Sequence, residues 1–169
     1  MNWSDKVLRS SRYTVHFLKR YYIGKFLGAR RIEQLVLEVD NEDYQAMLIK
    51  LFRNEKKHVF MIETLLNNRG LPLPRAGWRR TRYWRPVLKQ LTTPEEHLAI
   101  AYHITVEMHK RTEALVNSRF GGADIKSVFK RIQRDEETAI SVFRLCTTSE
   151  ALIKTTEIHK RGLDKLYGN

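Results

Sequence analysis

Asn54-Glu55-Lys56-Lys57-His58 stands in the middle of a strongly helical stretch, and its reading decides how the rest of the chain is understood. Around it Leu48, Phe52, Val59, Ile62 and Leu66 recur with the period of one helix face. Glu55 falls on that face, where a core residue belongs, and His58 follows three residues later on the same side. A carboxylate in a core position must be paired or bound, because an unpaired buried charge is costly. Glu-x-x-His is also the spacing with which carboxylate-bridged bundles hold iron or manganese. The competing reading is a charged helix with one exposed acid.

Gly and Pro are sparse and clustered, so the breaks on either side are clear. A first helix is expected over about Asp5 to Glu38, with a core stripe of Leu18, Tyr22, Lys25, Ala29 and Ile32. Val39-Asp40-Asn41 reads as a turn with Asn41 as the cap of the second helix, which stops before Gly70, with Pro72 and Pro74 beyond. A linker spans residues 70–92. Thr93-Pro94-Glu95-Glu96 then opens a third helix, with Thr93 as cap, Pro94 at the first position and Glu96 closing a capping box. That helix ends near Gly121-Gly122. A fourth follows with the stripe Ile125, Phe129, Ile132, Glu136, Ile140 and Phe143, and a last helix covers about Ser149 to Tyr167. No segment has strand periodicity. The expected fold is all-α, a single domain over residues 1–169: an antiparallel four-helix bundle with an additional C-terminal helix.

Short loops set neighbouring helices antiparallel, so their middle residues meet at one level. The third helix carries Ile100, Ile104, Glu107 and Leu115 on one stripe, and the fourth brings Glu136 and Glu137 near the core. Three helices therefore deliver carboxylates to one layer. A complete di-metal set would also need a Glu from the first helix and Glu-x-x-His on the fourth. Counting back thirty residues from Glu55, a plausible crossing distance for paired helices of this length, reaches Lys25 instead. Three residues beyond Glu137 stands Ile140, and beyond Glu136, Ala139. His16, His97, His103, His109 and His159 read as ordinary helix residues.

The order and spacing resemble the demethoxyubiquinone hydroxylases, di-iron monooxygenases of ubiquinone biosynthesis in the ferritin-like superfamily. Gly24-Lys25-Phe26 resembles that family's Gly-Glu-Tyr, and residues 54–58 resemble its Gln-Glu-Lys-Asp-His. Val106-Glu107 resembles its Val-Glu-Glu-Ser, and Arg134-Asp135-Glu136-Glu137 its Arg-Asp-Glu-Glu-Leu-Glu-His. The resemblance runs from about Tyr22 onward. It implies a ferritin-like fold, puts Glu55, His58, Glu107 and Glu137 on metal-ligand positions, and makes Lys25 and Ile140 lost ligands.

An ammonium repels a dication and takes its place among carboxylates. The expectation is therefore a salt-bridge cluster of Lys25 with Glu55, Glu107 and Glu137, helped by a protonated His58, and a chain with no cofactor and no catalysis. The alternative is a half-site, with Glu55, His58 and one of Glu136 or Glu137 holding one metal ion, or a di-iron hydroxylase with an altered site.

The linker is the second distinctive segment. Trp78, Arg79, Arg80, Arg82, Tyr83, Trp84 and Arg85 combine cations with amphipathic rings, and no acid occurs between Leu65 and Pro94. This suits the headgroup region of an anionic bilayer or the centre of a protein interface. The chain as a whole carries 31 Lys+Arg against 19 Asp+Glu, a net charge of +12, which calls for an anionic neighbour. Residues 1–20 are basic and rich in serine and aromatics, like a mitochondrial targeting segment or a basic first helix. The lone Cys146 excludes an internal disulfide, and no apolar run approaches the roughly 18–20 residues that span a bilayer. Together these readings lead to an accessory subunit on the matrix side of the mitochondrial inner membrane. Its expected partners are proteins of a membrane complex and an anionic lipid or a quinone. Binding to RNA or the ribosome is the weaker alternative.

Overall fold

The computed structural model describes residues 3–74, 89–118 and 121–167, with side chains over 12–74, 89–118 and 121–162. It is all-helical, with no strand among the described residues. The helices are α1 (Trp3–Glu38), α2 (Glu42–Asn67), α3 (Pro94–Asn117), α4 (Ala123–Leu145) and α5 (Ser149–Tyr167).

Local chemistry sets the ends. Asn41 Oδ1 accepts from the Tyr44 N–H at 3.0 Å and caps α2. At its other end Gly70 takes φ +61°, a left-handed turn that a side chain would strain. Thr93 Oγ1 accepts from the Glu96 N–H at 3.3 Å, with Pro94 in the first turn of α3. The return half of the expected capping box is displaced by one residue. Glu96 accepts the N–H of Thr92 at 2.8 Å rather than that of Thr93, and it also pairs with Lys154 of α5.

Two apolar clusters fix the direction of the helices. One holds Leu18 and Tyr22 of α1, Ile62 and Leu66 of α2, Leu115 of α3 and Phe129 of α4. The other holds Leu35 of α1, Leu48 of α2, Leu98 of α3 and Phe143 of α4. Going along the chain, α1 passes from the first cluster to the second, α2 returns, α3 again runs from the second to the first, and α4 reverses it. The parallel pair α2 and α3 is thus joined by one long connection whose two ends lie at opposite ends of the bundle. A smaller cluster of Leu91, Ile100 and Ile158, with Ile104 packed on it, seats α5 against α3. Between the two large clusters, all four central helices contribute polar side chains to one layer.

A buried lysine between two carboxylates

Lys25 occupies the centre of that layer. Its Nζ donates to Glu55 Oε1 at 2.9 Å and lies 2.8 Å from Glu136 Oε1. All three side chains are buried, Glu136 completely. The Tyr21 hydroxyl donates to the same Glu136 oxygen at 2.6 Å and lies 2.7 Å from Thr112 Oγ1, which donates back to the carbonyl of Met108. The Lys25 ammonium also sits 5.6 Å from the centre of the Tyr21 ring. On the other side of Glu55, His58 extends the chain of contacts. Its Nδ1 faces Glu55 Oε1 at 3.4 Å without hydrogen-bond geometry, and its Nε2 lies 2.8 Å from Asp135 Oδ2, which is partly open to solvent.

The electrostatics follow from this packing. Burial alone would depress the Lys25 ammonium, but the Glu55 and Glu136 carboxylates outweigh it and hold its pKa well above the ordinary value. Burial likewise works to raise Glu55, yet the Lys25 charge and the contact with His58 lower its carboxyl to about 2. Tyr21 is raised far above its usual range, mainly by burial and by the neighbouring Glu136 carboxylate, so its hydroxyl stays a donor. One atom is left over. Glu136 Oε2 is buried with no hydrogen-bond partner among the described residues, and the nearest imidazole nitrogen, His109 Nδ1, is 4.0 Å away.

The expected site residues fare differently. Lys25, Glu55 and His58 come together as the sequence suggests. Glu107 does not join them: it is half-buried and held by Arg111 one turn on, with Nη2 at 3.1 Å. The reason is α5. It packs on α3 at Ile100 and Ile104, and the α3 side chains that reach Tyr21 and the first apolar cluster are Thr112 and Met108. Glu137 is exposed, and its place is taken by Glu136. With the carboxylate one residue earlier, the position three residues on is Ala139, which is buried, and not the half-buried Ile140. The docking residues Trp78, Arg79, Arg80, Arg82, Tyr83, Trp84 and Arg85 lie outside the described residues.

Four participants were not picked out from the sequence. Tyr21 precedes Lys25 by one helical turn on the same face, a legible signal. Asp135 lies within the quoted Arg134-Asp135-Glu136-Glu137. Thr112 and His109 depend on how α3 is rotated, which only the seating of α5 reveals.

Among the described residues no three His, Cys, Asp or Glu side chains are grouped to hold a metal ion, and no helix is long and apolar enough to cross a membrane. The chain matches no family model, no curated protein and no solved structure, so its resemblance to the hydroxylases rests on the motifs quoted above.

Proposed function

We propose that this chain is a ferritin-like bundle descended from a quinone-biosynthesis hydroxylase. In this reading, a lysine-centred ion cluster stands where that family holds its metals. It serves as a non-catalytic accessory subunit at the matrix side of the mitochondrial inner membrane. The observation that carries this reading is the Lys25 ammonium lodged between Glu55 and Glu136 at 2.9 and 2.8 Å. A single long connection between parallel α2 and α3 is the connectivity of ferritin-like folds and supports the descent.

The residues present do not fit a di-iron centre, which takes roughly four carboxylates and two imidazoles. Here one carboxylate position is Lys25, Glu107 is committed to Arg111, and Ala139 stands where the second imidazole belongs. The Lys25 ammonium already pairs with one oxygen of each carboxylate that remains, Glu55 and Glu136. Attachment to the membrane is supported by the basic first helix and by the arginine- and tryptophan-rich composition of residues 78–85, both suited to anionic headgroups.

Oxygen uptake tests the reading. Protein loaded anaerobically with ferrous iron and then given reductant and a polyprenylated quinone precursor should consume no oxygen beyond the iron-only background. Uptake that requires both iron and the quinone precursor would make the chain a hydroxylase with an altered site.

A further inference from the structure

Among the described residues the bundle is open along one side. Between α1 and α3 the described residues surround a cavity of about 1320 Å³, running from Phe17 and Leu115 at one end to Ile100 and Phe143 at the other. Its openness shows in the helices themselves. Residues 101–109 of α3 are all only half-buried, and so are Ile23 and Leu27 on the facing side of α1. In a closed bundle the inward members of such a run would be buried.

Two properties define what fits. The first is size: the volume exceeds the roughly 300–1,000 Å³ of pockets for drug-sized molecules, and the guest is correspondingly large. Along α1 the thirteen helical steps from Phe17 to Arg30 measure about 20 Å, enough for the roughly 15 Å that acyl chains occupy in one leaflet. The second is charge. Six Lys and Arg side chains line the cavity against three acids, of which Glu55 pairs with Lys25 and Glu107 with Arg111, while Asp135 contacts the His58 ring. Arg30 and Lys89 add positive charge to the lining with no acid within ion-pair distance among the described residues. The Arg30 guanidinium lies over the Phe26 ring.

We propose that this cavity holds one acidic diacyl phospholipid, its phosphate at Arg30 and Lys89 and its acyl chains laid along Leu27, Ile23, Thr105 and Met108 toward Phe17. The proposal deepens the membrane-docking reading and rests on it for the source of the lipid. A neutral lipid would satisfy the apolar walls and leave the cationic end unmatched.

Native mass spectrometry tests it. The full chain is incubated with vesicles of phosphatidylglycerol or of phosphatidylcholine, separated from them and weighed, while flotation with the same vesicles reports surface attachment. One phosphatidylglycerol per chain is expected, retained roughly tenfold more than phosphatidylcholine. Arg30→Glu with Lys89→Glu should remove that preference. Leu27→Trp and, separately, Thr105→Phe fill the cavity from opposite walls. Each should abolish the adduct while flotation persists. Equal retention of both lipids, several adducts per chain, or an adduct that survives both filling variants would overturn the proposal. Flotation with no adduct would overturn the cavity alone. An adduct taken up from detergent-dispersed phosphatidylglycerol by a chain that does not float would uphold the cavity and overturn the membrane reading.

Discussion

The ends of this bundle and its middle are held by opposite means. At each end apolar side chains from four helices interdigitate, with Leu48, Ile62 and Phe129 fully buried. The middle layer is a chain of polar and ionised side chains, Asp135–His58–Glu55–Lys25–Glu136, tied to Tyr21 and Thr112. Apolar packing is non-directional and tolerates a lost methylene at a graded cost. A buried ion cluster fails more abruptly when one partner goes, because the remaining charges lose their counter-ion while still largely shielded from water. The ends therefore supply stability, and the middle makes that stability conditional on a particular lysine.

That contrast is sharpest at Lys25. Lys25→Met leaves Glu55 and Glu136 buried without their cation and should cost about 3–5 kcal/mol in urea unfolding. A much smaller loss would mean the layer is not what holds the helices in register. Replacing all three, as Lys25→Met with Glu55→Leu and Glu136→Met, removes the charges together and should restore most of that loss. Next in size, Leu48→Ala in the second apolar cluster should cost about 3 kcal/mol, with no dependence on pH.

The middle layer, by contrast, should respond to acid. The Glu55 carboxyl is lowered from 4.5 to about 2 in the folded chain. A lowered carboxyl adds stability above its unfolded pKa and loses it as pH falls through the folded one. The loss should fall between about pH 4.5 and pH 2 and amount to roughly 3 kcal/mol. Lys25, shifted upward, stays charged throughout that window and takes no part in the loss. Melting curves across this range should show the stability gap between wild type and Lys25→Met closing as the acid protonates Glu55. A constant gap would mean that Lys25 and Glu55 are not coupled. The smallest effect belongs to the surface. Arg31→Ala removes a pair with Glu38 at 3.0 Å that is open to solvent, and should change stability by less than about 1 kcal/mol.

Much of this layer could be read from the chain before any coordinates. The apolar period of α2 places Glu55 and His58 inward, and the thirty-residue step back to Lys25 is a real contact. On α4 hydrophobic periodicity puts Glu136 in the core stripe, whereas the resemblance puts Glu137 on a ligand position, and the structure follows the periodicity because burial acts on the whole face of the helix. Glu107 was misplaced for a different reason. A helix packed on two sides carries two apolar stripes, and nothing local says which of them faces the charged layer. Ile100 and Ile104 belong to the α5 contact, so the rotation of α3, and with it the roles of Thr112 and His109, is set by residues some fifty positions further on.

The most direct test of the lysine-for-metal exchange is the iron content of the chain. Wild-type protein is incubated anaerobically with ferrous iron, desalted and analysed by inductively coupled plasma mass spectrometry beside Lys25→Glu. Wild type should retain no iron. The variant should also fall short of two per chain, since Glu107 and Ala139 still leave the ligand set incomplete. Two irons per wild-type chain would contradict the exchange outright, and two in Lys25→Glu would show that the lysine alone had closed an otherwise intact centre.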